Sequence, residues 1–318
     1  MCTSFTYSSQ DGGHFLARTM DFAINLEARP VFIPRNYHFD LEFDQKGYET
    51  KYSFIGASRF VGNYILSDGF NEQGFGIAVL YFNPKAEYSD IPETSKINFE
   101  ASELVAWALG NVSSVDDFAK KLSSINLVNS QNKFLQINVP LHWIITDKTG
   151  KTAVLEITSS GYHLYDNEVG VMTNSPDFNW HLDNLAHYNH LQPTEAKAKT
   201  YGKYIAKLDG PGFGAVGLPG DFTSASRFIR ATFIKSYMEP AVNVKDGIRN
   251  ISYILNSVNI PKGIKIDSNG LSDYTQYTAI MDLTNNKYYF KTYDSLSFQE
   301  FTLTKELIEQ EEVSYFEL

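Results

Sequence analysis

Cysteine occurs once in the chain, at Cys2, which excludes an internal disulfide framework and any zinc or iron-sulfur site built from several thiolates. Long apolar runs are missing as well. No window approaches the 18 residues that a membrane-spanning helix requires. Basic side chains are in deficit, 27 against 37 acidic ones, and the net charge of -10 opposes binding to nucleic acid or anionic membranes. The opening residues MCTSFTYSSQDGG lack the positive n-region and unbroken apolar h-region of a secretory leader, so a mature N-terminus and a cytoplasmic protein are expected. What is abundant is core-forming material. With 318 residues, 43% hydrophobic and 14% aromatic, the chain can bury a large interior, and with no internal repeat or low-complexity linker a single domain over 1–318 is expected.

Alternating patterns mark strands at CTSFTY and HFLARTMDF, separated by the polar turn SSQDGG, then around NEQG with GFGIAVLYF after it. LHWIITD, KTAVLEIT and GYHLYD read as a meander, and TQYTAIMDL with KYYFKTY as a hairpin across TNN. Helical spacing appears in FEASELVAWAL and in VDDFAKKLSSI, where Ser114 and Asp117 form a capping arrangement. Further helices are expected at TEAKAKTYGKYIAKL, SASRFIRATFIKSYM and VKDGIRNISYILNSV. The glycines of GPGFGAVGLPGD lack phosphate-loop spacing and suit a loop that approaches the core closely. Groups of strands alternating with groups of helices favour an α+β layered fold over a parallel βαβ series.

Removal of Met1 would place a thiol and a free α-amine on Cys2, a nucleophile carrying its own base. The amine's ordinary pKa of about 7.7 to 8.0 suits it to accept a proton at neutral pH, and a thiolate attacks a carbonyl far better than a thiol. A hairpin centred between Asp11 and Gly12 places Asp21 opposite Cys2 and returns Arg18 to the chain end, although a one-residue slip would exchange the faces. Arg18 can favour the thiolate and Asp21 can orient the amine. The alternatives are a small buried hydrophobe at Cys2 and a peripheral ion pair between Arg18 and Asp21. His14, His142, His163, His181, His187 and His190 show no HExxH spacing, and this chemistry needs no metal or other cofactor.

Four blocks in order, MCTSFTYSSQDGGHFLARTMDF, DGFNEQGFGIAVLYF, VMTNSPDFNWHLDNL and GFGAVGLPGDFTSASRFIRATF, resemble the diagnostic blocks of the choloylglycine hydrolase and penicillin V acylase family. The resemblance runs from Cys2 to the terminal hairpin. It implies the four-layer αββα N-terminal-nucleophile hydrolase fold, with two stacked antiparallel sheets between helices, and hydrolysis of a linear carboxamide bond. It also implies roles residue by residue. Cys2 matches the nucleophile, Arg18 and Asp21 match residues that tune and position it, Asn174 matches an oxyanion-hole amide and Arg227 a second active-site arginine. The backbone N-H of Tyr81 would be the other oxyanion donor. Judged alone, Asn174 would as readily cap a turn before Pro176, and Arg227 would be a solvated helix residue.

Met20, Phe60, Tyr81 and Leu141 are the candidate pocket residues. Bile-salt hydrolases of this family commonly carry GLNF and GRNLD where this chain has VLYF and ARTMD. Tyr81 in place of that asparagine resembles the penicillin V acylase branch and offers an aromatic surface for a phenoxyacetyl group. The expected substrate is therefore penicillin V, with a conjugated bile salt as the alternative and a catalytically inactive binding protein as a remote third reading. The resemblance also looks like that of homotetramers.

Overall fold

A computed structural model describes residues 1–44, 46–132 and 135–318. The chain opens with β1 (Cys2–Ser8) and β2 (His14–Phe22), followed by β3 (Arg29–Ile33) and the short ladder β4 (His38–Phe39) with β5 (Tyr48–Glu49). A meander follows through β6 (Phe54–Phe60), β7 (Tyr64–Asn71) and β8 (Phe75–Tyr81). Next come β9 (Ile97–Phe99), α1 (Leu104–Asn111), α2 (Val115–Lys121) and β10 (Ile125–Leu127), the last parallel to β9. A second meander, β11 (Leu141–Asp147), β12 (Thr152–Thr158) and β13 (Gly161–Asp166), leads to β14 (Val171–Met172) and α3 (Phe178–Leu185). The hairpin β15 (Lys199–Tyr201) and β16 (Tyr204–Ala206) precedes α4 (Ser224–Tyr237) and α5 (Val244–Val258). The chain closes with β17 (Tyr274–Asp282), β18 (Lys287–Thr292), β19 (Gln299–Thr302), α6 (Lys305–Ile308) and β20 (Ser314–Tyr315).

Two antiparallel sheets organise these elements. One has the order β14-β1-β2-β17-β18-β19, the other β13-β12-β11-β8-β7-β6-β3-β20. Helices α4 and α5 cover the outer face of the first sheet and α1 lies on the second, which gives four αββα layers. In α5 the buried residues Gly247, Ile251, Ile254, Leu255 and Val258 recur at helical spacing, so one stripe faces the sheet. At Gly247 a Cβ would come within 3.0 Å of the Phe15 ring, and the missing side chain is what lets α5 settle on β2. The Ser114 cap forms as expected, its hydroxyl accepting the Asp117 N-H at 3.1 Å. Among the described residues no helix is long and apolar enough to cross a membrane.

Three sequence expectations change. The helix expected over TEAKAKTYGKYIAKL is absent, and the segment folds as the β15–β16 hairpin, turning at Gly202 with φ +60°. Tyr201, Tyr204 and Ile205 are exposed there, so no core exists to reward a helical stripe. Helix α3 has no counterpart in the expected elements, although Asp177 caps it by accepting the Trp180 N-H at 3.0 Å. Within GPGFGAVGLPGD the close approach is made by Gly214, against the Gln192 and Thr194 carbonyls of a neighbouring loop and not against the core.

Candidate active site

Register decides which side chains meet at Cys2. The first hairpin turns through Ser9–Gly13, with the Ser9 N-H donating to Gly13 O at 2.9 Å, and pairs Cys2 with Met20 and Ser4 with Arg18. That is one residue away from the expected pairing of Cys2 with Asp21. The turn is centred on Asp11 itself, with Gly12 at φ +90°. Cross-strand partners share a face, so Cys2, Arg18 and Met20 point between the sheets while Thr3, Thr19 and Asp21 point towards α4.

On the inner face Arg18 Nη2 lies 3.1 Å from Cys2 Sγ, and Nη1 donates to Ser67 O at 2.7 Å and Val79 O at 3.0 Å. Arg18 is fully buried. Burial opposes its charge, but Tyr277, Cys2, Asp68 and Tyr288 outweigh that and hold its pKa above the ordinary value. On the outer face Asp21 accepts from Thr19 Oγ1 at 3.0 Å and Thr275 Oγ1 at 2.6 Å. Burial raises its pKa, and Arg227 pulls the other way.

In the chain with Met1 attached, the Cys2 nitrogen is a peptide N-H and the α-amine is that of Met1. The Cys2 N-H donates to Asn174 Oδ1 at 2.8 Å. Asp21 contributes its main-chain oxygen, 2.5 Å from the Met1 ammonium, which also lies 3.7 Å from Asp273. Asn174 Oδ1 accepts a second bond from Arg227 Nη2 at 2.7 Å, and Nδ2 donates to Tyr81 O at 2.7 Å, leaving one amide proton uncommitted. Arg227 Nη1 donates to both Cys2 O and Thr3 Oγ1 at 2.6 Å, so the first turn of α4 is tied to the start of β1. Five side chains that sequence singled out, Cys2, Arg18, Asp21, Asn174 and Arg227, thus converge on one end of β1.

Two residues that sequence reasoning did not reach fix Asn174. Ser224 Oγ accepts the Asn174 N-H at 2.9 Å and lies 2.7 Å from its carbonyl, and His181 Nε2 is 2.8 Å from the same oxygen. Burial lowers the His181 pKa to about 4, so the ring is neutral at pH 7 and donates from Nε2. His181 follows the Asp177 cap by one helical turn, a signal readable only once α3 is recognised.

Tyr81 ends β8. The Phe82 N-H donates to Pro140 O at 2.8 Å, and alternation of the antiparallel ladder turns the Tyr81 N-H and C=O the other way, towards Asn174. Beside Cys2 opens a cleft lined largely by apolar side chains that include Met20, Phe22, Leu26, Tyr81 and Leu141. Phe60, the fourth expected pocket residue, does not line it. It is 53% exposed and packs on Tyr64, because it lies past the end of the buried stretch of β6.

Residues 2–316 match the choloylglycine hydrolase family of linear amide C-N hydrolases. The chain belongs to that family. This family member is 36% identical to the bile salt hydrolase/transferase of Clostridium perfringens over 99% of its own length and 96% of the relative's. It superposes on a crystal structure of a variant of conjugated bile acid hydrolase from the same organism with a TM-score of 0.92, at 35% identity and covering 100% and 97% of the two chains. The penicillin V acylase of Pectobacterium atrosepticum is 24% identical over 92% of this chain and 78% of that one. The family is that expected, and it makes the protein an amide hydrolase. The expected order of substrates is reversed in these relatives, since the bile salt enzymes match better than the acylase. The VLYF block with Tyr81, together with ARTMD, carried the penicillin expectation, and the similarity of the remaining chain outweighs them.

Proposed function

We propose that the protein hydrolyses the amide bond of conjugated bile salts. The observation that carries the reading is the cleft opening at Cys2 Sγ, whose wall is built largely by Met20, Phe22, Leu26, Val79 and Leu141 and so suits a large apolar acyl group. Arg59, Ser67, Ser102 and Asn132 add polar groups to the wall, partners for a hydroxylated acyl group. The greater identity to bile salt enzymes supports the same choice.

In the proposed reaction Met1 is removed and the Cys2 α-amine takes the thiol proton. Arg18, 3.1 Å from the sulfur, steadies the thiolate. Sulfur attacks the carbonyl carbon, and the uncommitted Asn174 Nδ2 proton with the Tyr81 N-H receives the charge that develops on oxygen. The C-N bond breaks as the ammonium returns its proton to the leaving amine. Water, deprotonated by the same α-amine, then hydrolyses the thioester and restores the thiol. Asp21 and Arg227 hold the start of β1 in place.

A second reading, penicillin V hydrolysis, has one observation behind it. Tyr81 meets Phe22 edge-to-face with centroids 6.3 Å apart, an aromatic corner able to receive a phenyl ring. Measuring kcat/KM for glycine- and taurine-conjugated bile salts and for penicillin V, in the native protein and Tyr81→Asn, separates the two. A bile salt preference is expected. A native preference for penicillin V that Tyr81→Asn reduces would install the second reading, and turnover of neither class would defeat both.

A further inference from the structure

Arg18 carries a full positive charge into the space between the sheets, and none of the residues given a role above neutralises it. Asp68, in β7, faces it. Its Oδ2 is 3.5 Å from Arg18 Nη1, and both side chains are fully buried. Tyr277 donates its hydroxyl to Asp68 Oδ2 at 2.6 Å and Tyr288 donates to Oδ1. Burial drives both phenols well above their ordinary pKa, so they remain protonated donors; burial also raises the Asp68 carboxyl, and Arg18 with the two phenolic hydrogen bonds opposes that rise and favours the carboxylate.

The backbone has to be irregular for this to form. Thr275 pairs with Asp21 and Tyr277 with Met20, so a bulge at Gln276 places two residues of β17 opposite adjacent residues of β2. Without the bulge, side chains two apart would share a face. With it, Thr275 reaches Asp21 on the outer face while Tyr277 reaches Asp68 on the inner one. A single irregularity thereby serves both sides of the Cys2 hairpin.

We propose that Asp68 is a positioning residue, which with Tyr277 and Tyr288 balances the charge of Arg18 so that the guanidinium rests against Cys2 Sγ without over-stabilising the thiolate. The inference rests on Cys2 as the reactive group, and it concerns the set point of the sulfur and not the choice of substrate. In Asp68→Asn the neighbouring carbonyls of Ser67 and Val79 still hold Arg18, and its charge then acts uncompensated on the sulfur.

Because Cys2 is the only cysteine, its alkylation by iodoacetamide can be followed by intact mass across pH with no substrate present. In Asp68→Asn the midpoint of the rate profile is expected to move to lower pH by roughly 1.5 units, the effect of one charge removed about 8 Å away at an effective dielectric near 20. Tyr288→Phe keeps the carboxylate and is expected to move the midpoint much less. An unchanged midpoint in folded Asp68→Asn, or an equal shift in Tyr288→Phe, overturns the proposal. Thermal melting supplies a second measurement if Asp68→Asn folds poorly. Arg18→Leu leaves a buried unpaired carboxylate, so adding Asp68→Asn to it is expected to raise Tm, and a double variant no more stable than Arg18→Leu also overturns the ion pair. A protein that turns over neither bile salts nor penicillin V but shows the acid shift sinks only the substrate reading.

Discussion

Asn174 bonds the Cys2 nitrogen directly. Its oxygen accepts from the Cys2 N-H and from Arg227, and its nitrogen bonds Tyr81 O, so it ties three separate segments together. In the proposed reaction, replacing it with alanine removes a donor required chiefly when negative charge develops on the substrate oxygen. Asn174→Ala is expected to slow single-turnover acylation roughly 100-fold, corresponding to about 3 kcal/mol, with a much smaller change in substrate binding. An unchanged acylation rate would remove it from the oxyanion role. Cys2→Ala, with Met1 processing confirmed by intact mass, is expected to abolish turnover. Activity retained in that variant would displace Cys2 as the nucleophile.

At the level of elements, the bulge in β17 does more than place Thr275 and Tyr277. The bulged residue Gln276 sends its side chain to the loop after β2, donating to Phe22 O at 2.9 Å and Ile24 O at 2.7 Å and accepting the Leu26 N-H at 2.9 Å. Phe22 and Leu26 line the cleft. The strand that supports Asp21 and Asp68 therefore also clasps one wall of the pocket. Gln276→Ala is expected to raise KM for a bulky acyl substrate several-fold, up to about tenfold for bonds worth ~1 kcal/mol net, while leaving Cys2 alkylation nearly unchanged. Loss of alkylation in parallel with the rise in KM would show that the residue supports the whole hairpin instead.

Across the whole molecule, buried titratable groups of opposite tendency set how stability varies with pH. The folded pKa of His181, about 4, lies below the ordinary imidazole value, so the unfolded state binds more protons between the two. Its contribution is therefore lost as pH falls from about 6.5 towards 4. Glu103, raised to about 7 by burial, acts in the opposite sense, because the folded state holds the proton and that contribution is lost as pH rises through 7. Native protein is expected to lose Tm more steeply than His181→Asn between about pH 6.5 and 4.5. Parallel slopes in the two proteins would show that His181 does not govern the acid limb. The variant lacks the imidazole hydrogen bond at every pH, so the slope and not the absolute Tm is the informative quantity.

Much of this was legible in the residues. Alternation at CTSFTY, HFLARTMDF and the terminal hairpin fixed the strands, helical spacing fixed α4 and α5, and the ordered blocks around Cys2, Asn174 and Arg227 carried the family. A strand's side-chain period and a helix's apolar stripe are local properties, written within a dozen residues. Register, by contrast, depends on which residue the turn centres on, and a shift of one moved Asp21 from opposite Cys2 to the other face of the sheet. The expected helix near Tyr201 failed because spacing does not reveal whether a core lies beneath it. Asp68, Tyr277, Tyr288 and His181 had no sequence signal as a group, being brought together from β7, β17, β18 and α3. The thiol of the proposed reaction was thus written in the sequence, whereas the residues that surround it were decided by long-range pairing of strands, since contacts between residues 200 positions apart exist only after the sheets have formed.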